Sequence, residues 1–191
     1  MQFQTSLVRQ NPVEDDWPQE QKLDSLHPTF RAKVDRVMAD LRAQGYNPHI
    51  KFGWRSLQTQ AQLLSAGRTK VPFSFHNAVD IEGEPAALAV DITDYDDRWA
   101  YQNMAFFNAL GAAAEKQGLF WGGRWTWKDY AHIQGAPNDV LDLLKTKGLA
   151  AIGYASRVKY LKLFGSVGLV GVAAAASAVI IALAWRYRSR R

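Results

Sequence analysis

Between Pro28 and Gly45 the apolar residues Phe30, Val34, Val37, Met38 and Leu41 recur at intervals of three and four. That period predicts a helix with one buried stripe, opened near Ser25 or His27 and closed by Gly45. "PHIKFGW", from Pro48, predicts a short strand. A second helix starts at Ser56 in "SLQTQAQLLSAGR" and stops at Gly67. The apolar run over 86–93 predicts a buried strand, and "RWAYQNMAFFNALGAAAEKQG" a long helix ending at Gly118. "LFWGGRW" follows as strand or turn, "YAHIQ" as a strand and "NDVLDLLKTKG" as a last helix. Helices and strands mix without a regular βαβ repeat, so the expected fold is α+β, with helices flanking a small antiparallel sheet. Residues 1–24, polar and holding Pro12, Pro18 and a cluster of acids, read as an extended arm ahead of a domain over 25–148.

The pattern changes after a linker over 149–162. Residues 163–185, "LFGSVGLVGVAAAASAVIIALAW", carry no charge, a length that predicts one C-terminal transmembrane helix, with a basic tail over 186–191. Arg157, Lys159 and Lys162 precede it and Arg186, Arg188, Arg190 and Arg191 follow, with Tyr160, Trp185 and Tyr187 at interfacial positions. The alternative is a buried helix of a soluble core. The glycines and alanines would also let such helices associate closely in a membrane.

Charge sharpens this division. The formal net charge is +5, but all 18 acids lie before residue 157, where they outnumber the basic residues, and the tail after it is purely basic. The basicity therefore belongs to the tail, and a nucleic-acid partner for the main domain is not expected. The N-terminus has no basic start followed by an apolar run, so no secretory signal is expected.

The absence of cysteine excludes thiolate metal sites and cysteine nucleophiles, leaving histidine and carboxylate as candidate ligands. His27, beside Pro28, reads as a helix-start residue, and His49 as a structural position on a strand. His76 and His132 have different company. Asp129 stands three residues before His132; on a strand the two would face opposite ways, so Asp129 belongs in the turn that feeds the strand. There a carboxylate can stand beside a metal without ligating it, an arrangement suited to hydrolysis.

Several segments then occur in a telling order. "GWRSLQTQAQLLSAGRT" supplies Gly53, Arg55, Ser56, Gln60 and the "GRT" ending; "SFH" supplies Ser74 and His76; "LAVDI" supplies Asp91; "FWGGRW" supplies Trp121 and Gly122; "DYAHIQ" supplies Asp129 and His132. Over roughly 25–147 the chain resembles the zinc peptidases of bacterial cell-wall peptides, the D-alanyl-D-alanine carboxypeptidases and phage L-alanyl-D-glutamate endopeptidases. The resemblance implies Zn2+ held by His76, Asp91 and His132. It implies Asp129 as general base and proton donor, and Arg55 as a group near the substrate carbonyl or carboxylate, the alternative for Arg55 being a structural salt bridge. Ser74 would orient a ligand, and Gln60 reads as structural.

Two aspartates compete for the ligand position, since "AVDI" occurs around both Asp80 and Asp91. The family spaces its histidine and aspartate seven apart, whereas Asp80 lies four and Asp91 fifteen residues after His76. "ALAVD" matches the family's G-x-A-x-D with alanine for the glycine, and an eight-residue insertion over 78–85, holding the loop-like "DIEGEP", accounts for the excess. Asp91 is the expected ligand.

What the resemblance implies is hydrolysis of peptidoglycan stem peptides, with the L-Ala–D-Glu bond favoured and D-Ala–D-Ala as the alternative. Together with the charge-free segment 163–185, to which the resemblance does not extend, the expectation is a membrane-anchored, phage-encoded enzyme of lysis or entry, held in a host inner membrane or a virion membrane while its domain acts on the wall. The rivals are a non-catalytic peptidoglycan-binding module, which would not need Asp129, and a tail-anchored structural protein without metal.

Overall fold

The computed structural model describes residues 13–95 and 104–154. The chain divides into two units, Met1–Ala155 and Ser156–Arg191; the second lies outside the described residues.

The first unit is α+β. Its helices are α1 (Gln19–Asp24), α2 (Pro28–Ala43), α3 (Leu57–Ser65), α4 (Met104–Lys116) and α5 (Leu141–Lys147). Its strands are β1 (Pro48–Phe52), β2 (Ala89–Asp94), β3 (Phe120–Trp121) and β4 (His132–Gln134). They form one sheet in the order β1-β2-β4-β3, every neighbouring pair antiparallel.

Local chemistry sets the helix ends. His27 Nδ1 accepts from the Thr29 N–H at 3.3 Å, with Pro28 in the first turn of α2. Ser56 Oγ accepts from the Thr59 N–H at 3.1 Å at the start of α3. Gly67, at φ +68°, ends that helix in the left-handed region, and the Arg68 N–H returns to Leu63 O at 2.8 Å.

The sheet has two chemically distinct faces. Ile50 pairs with Ile92 and Val90 with Ile133, and all four join Phe30, Val34, Val37, Phe106 and Leu110 in the core. The opposite face of the central strands carries Ala89, Asp91 and Thr93 on β2 and His132 and Gln134 on β4. A register shift between Ile50 and Phe52 sets Phe52 opposite Asp91, so Phe52 joins the polar face instead of following Ile50 into the core. All six β2 residues are buried, because both faces of that strand are covered.

Two expectations are corrected. The fold class keeps its α+β sheet and flanking helices but loses the transmembrane helix: no helix among the described residues is long and apolar enough to cross a membrane. Residues 163–185, on which that expectation fell, lie outside them, as does the start of the long helix expected from Arg98. Residues 13–24, expected as part of an extended arm, form a 3-10 turn (Val13–Asp16) and α1, and both dock on the domain. Glu14 and Lys22 are buried there, and Trp17 stacks on Trp54 with ring centres 6.2 Å apart. The composition suggested a solvated arm, yet its polar groups meet polar backbone. Lys22 Nζ donates to Ile50 O at 3.2 Å, and Gln19 exchanges hydrogen bonds with the Ile50 backbone at 2.7 and 2.8 Å.

Candidate metal centre and active-site cleft

The antiparallel register places Asp91 directly opposite His132, so their side chains leave the same face of the sheet. His76 reaches that face from a 3-10 turn, Phe75–Asn77. Ser74 and Asn77 close this turn reciprocally, Asn77 Oδ1 accepting the Ser74 N–H at 2.8 Å. Asn77 Nδ2 then donates to Arg55 O at 2.9 Å, and the Arg55 N–H donates to His76 O at 3.0 Å. The histidine turn and the arginine loop are thus sewn together. Gly53 is needed at their junction, since a Cβ there would stand 2.6 Å from Lys22 O.

Three ligand-type atoms converge. His132 Nδ1 lies 3.0 Å from Asp91 Oδ1, His76 Nε2 lies 3.3 Å from the same oxygen, and the two nitrogens are 3.3 Å apart. All three side chains are buried. Among the described residues they form the one group of three or more such side chains able to hold a metal ion.

The protonation of both rings follows from their outer contacts. His76 Nδ1 sits 2.6 Å from Gly53 O, and a carbonyl can only accept, so Nδ1 carries the hydrogen and Nε2 is bare. Gln134 Nε2 donates to Ala136 O at 2.7 Å and to Asn138 Oδ1 at 2.9 Å, which leaves its Oε1 as the acceptor facing His132 Nε2 at 2.9 Å. His132 therefore carries hydrogen on Nε2 and turns a bare Nδ1 inward. Two lone pairs and a carboxylate oxygen at these separations repel one another unless a proton or a metal ion lies among them. A tetrahedral zinc with bonds of about 2.0–2.1 Å has ligand-to-ligand edges of about 3.3 Å, so the donor set and its spacing fit such an ion with a fourth position open.

Burial, then the nearby Arg55 charge, lower the His76 pKa to about 4, so the ring is neutral at physiological pH. Burial also works against charge on His132, but its hydrogen bond and proximity to Asp91 more than offset this and raise its pKa. Burial would raise the Asp91 pKa; the charge of His76 when that ring is protonated, the Arg55 charge, and the hydrogen bonds that protonated histidine rings would donate prevail, and it stays well below the usual carboxylate range. Its Oδ2 is held by Arg55 Nη2. Arg55 also lies over the Phe52 ring, 4.3 Å from its centre. It thus has a structural ion pair and a place in the cleft wall together.

The cleft, about 390 Å³, is lined by Phe52, Arg55, Leu63, Arg68, Thr69, Asp91 and Asp129. Asp129 lies in the loop before β4, as its spacing predicted, with its side chain open to solvent. Its N–H donates to Gly122 O at 3.2 Å, and its own carbonyl accepts from the His132 N–H at 3.3 Å. A Cβ on Gly122 would collide with Asp129 O, so this glycine sets how closely the Asp129 loop packs. Partial desolvation and then the Asp91 charge raise the Asp129 pKa, against the pull of His132 and Arg55. Trp125 packs on His132 with ring centres 5.1 Å apart.

Asp80 is elsewhere. Its Oδ1 accepts the Glu82 and Glu84 N–H groups at 2.9 and 3.0 Å, closing the loop on itself between bridged Val79 and Pro85. Gly83, at φ +83°, makes the turn.

The sequence reading missed Gln134, Asn77 and Glu14. Gln134 stands two after His132, the spacing that shares a strand face, and Asn77 completes an S-x-x-N cap; both signals were available. Glu14, whose carboxylate accepts the Ser56 N–H at 2.8 Å and the Thr59 hydroxyl, lies 42 residues away from the segment it holds, and no local pattern announces it.

Comparison with known proteins bears on this arrangement. A family model described as D-alanyl-D-alanine carboxypeptidase matches residues 66–135, which include His76, Asp91, Asp129 and His132. The peptidoglycan L-alanyl-D-glutamate endopeptidase CwlK of Bacillus subtilis is 29% identical over 128 residues, 59% of this chain and 75% of that protein. The chain is a peptidase. It resembles the cell-wall metallopeptidase family suggested by its motifs. The crystal structure of the Serratia marcescens L-Ala D-Glu endopeptidase ChiX aligns with a TM-score of 0.46 at 24% identity, covering 70% of this chain and 98% of that one.

Proposed function

We propose that this peptidase is zinc-dependent and cleaves peptidoglycan stem peptides at the L-Ala–D-Glu bond. The observation that carries the metal is the triangle of bare acceptor atoms on His76, Asp91 and His132 beside a cleft that also holds Asp129. The bond assignment is supported by the name of the Bacillus subtilis relative.

His76, Asp91 and His132 would hold the ion, with Gly53 O and Gln134 fixing the two rings. When bound, zinc supplies Lewis acidity, polarising a carbonyl and lowering the pKa of water. Asp129 takes the proton of the attacking water and returns it to the nitrogen of the departing amine. Its raised pKa suits both duties, because a stronger acid would be a poorer base. Arg55 keeps Asp91 ionised and oriented, and lines the cleft where the substrate carbonyl passes.

The test is product analysis of digested peptidoglycan with metal-free and zinc-restored protein. New L-Ala carboxyl and D-Glu amino termini that depend on zinc are expected. Release of D-alanine would instead support the carboxypeptidase reading, which the description of the matching family model favours. No cleavage with zinc bound would support a binding module.

A further inference from the structure

The cleft contains two arginines with different electrostatic duties. The Arg55 charge is committed to Asp91. Arg68 has no ion-pair partner among the described residues, although it lines the same cleft as Asp91 and Asp129. Its backbone is also held in place. The Arg68 N–H is tied to Leu63 O at 2.8 Å in the turn that ends α3, and the next residues are pinned from beneath. Gln60, completely buried, donates from Nε2 to Val71 O at 2.8 Å. The Thr69 hydroxyl oxygen faces the Val71 N–H and Gln60 Nε2 at 3.5 Å each, long contacts in which it can only accept. Its own hydrogen is left for another acceptor. Beyond Thr69, Lys70 Nζ sits over the exposed Trp127 ring, 3.0 Å from its centre, linking this loop to the one that carries Asp129.

A cation on an anchored stretch of backbone and a hydroxyl donor on the next residue, both lining one cleft, suit a carboxylate. The substrate class of the proposed function provides one. When D-Glu continues the stem peptide through its γ-carboxyl, its α-carboxylate remains free on the carbon that bears the scissile nitrogen. Asp129 shares the cleft with that anion, and Arg68 is the cleft arginine whose charge is not already committed to a carboxylate among the described residues.

We infer that Arg68, with Thr69, is the receptor for the α-carboxylate of the D-Glu residue and makes the enzyme discriminate between that acid and its α-amide. The inference rests on the proposed stem-peptide substrate. Arg68 is a specificity residue in this assignment and takes no part in proton transfer.

The experiment compares L-Ala-γ-D-Glu-L-Lys with the same peptide carrying D-isoglutamine, using zinc-loaded wild type, Arg68→Gln and Arg68→Lys. Wild type should favour the acid in kcat/KM by roughly ten- to a hundredfold, the usual scale for a hydrogen-bonded charge pair. Arg68→Gln should lose that preference, chiefly by raising KM for the acid, while the amide changes less than about threefold. Arg68→Lys should recover part of it, because a charge without the planar fork remains. An equal fall on both peptides, or a preference that survives Arg68→Gln, would overturn the inference. Binding of both peptides to zinc-free protein, read by tryptophan fluorescence, separates the two levels of argument. If cleavage occurs at another bond or not at all, the proposed function fails, yet an Arg68-dependent difference in binding still supports the carboxylate contact. Equal binding of acid and amide to wild type overturns it.

Discussion

The polar face of the sheet and the loops at the cleft rim hold their charged and titratable residues in opposite states. On the sheet, His76, Asp91 and His132 are buried, and each has an outer partner that fixes its orientation. On the rim, Arg68 and Asp129 are exposed to solvent and line the cleft a substrate would fill. Strand register and buried hydrogen bonds locate atoms to a fraction of an ångström, which holding an ion demands. Loops anchored at a few backbone points can meet a variable ligand. Changes on the sheet should therefore remove the cation, whereas changes on the rim should leave it bound and alter turnover or selectivity.

The sharpest break in this comparison is Asp91→Ala. It removes one ligand and leaves Arg55 buried without its carboxylate. Zinc content should fall to background and hydrolysis to the detection limit, measured by metal analysis and product assay; zinc retained at full occupancy would remove Asp91 from the site. Asp129→Asn, on the rim, should keep zinc while kcat drops by roughly two to four orders of magnitude, the scale of lost acid–base catalysis. The titration of Asp129 adds a sign. In metal-free protein its carboxyl should titrate above its own ordinary value, and zinc should lower it by adding positive charge nearby. Carboxyl-carbon NMR of the two forms reads the change, and a rise on loading would contradict the placement.

Gln134→Leu should have a smaller effect. It deletes the acceptor that fixes the His132 ring, and zinc affinity should weaken by about 10- to 100-fold while the fold persists. Competition with a chromophoric chelator measures this, and unchanged affinity would leave ring orientation to Trp125 packing alone.

Glu14→Gln tests whether the docked N-terminal segment matters. Burial favours the neutral acid, but hydrogen bonds from Thr59 and Ser56 prevail and lower the Glu14 pKa. Its stabilisation is therefore present above the unfolded value of about 4.3 and disappears as pH falls through the lower folded value. Wild type should exceed the variant by about 1–2 kcal/mol near neutrality, with the gap closing in acid, as read by urea unfolding at several pH values. The smallest effect belongs to Asp80→Ala, which loosens its own loop and should leave zinc content unchanged.

Much of this architecture was legible because its signals are local. The stripe from Phe30 to Leu41, the caps at His27 and Ser56 and the glycine stops each occupy a few neighbouring positions. The choice of Asp91 over Asp80 rested on alternating small residues, which in the structure are the buried strand opposite β4. The bulge that turns Phe52 toward Asp91 was illegible, since period-two alternation assigns Phe52 to the face of Ile50. The docking of residues 13–24 was illegible for another reason. Their partners are the backbone of β1 and the cap of α3, and composition does not register a polar residue that is buried because it meets another polar group. The tail over 163–185 carried the strongest compositional signal and lies outside the described residues.

The hydrogen-bond chain from Ala136 O through Gln134 to His132 has a consequence for how the site responds to acid. A proton competing with the metal needs a lone pair on which to land, and the two rings offer unequal landing places. His76 resists protonation down to about pH 4 because burial and the neighbouring guanidinium oppose a second charge there. His132, whose inward nitrogen faces the Asp91 carboxylate, accepts a proton more readily than an ordinary imidazole. Mild acidification thus attacks one corner of the triangle. An ion held there would meet competition from protons first at His132, while His76 remains unprotonated.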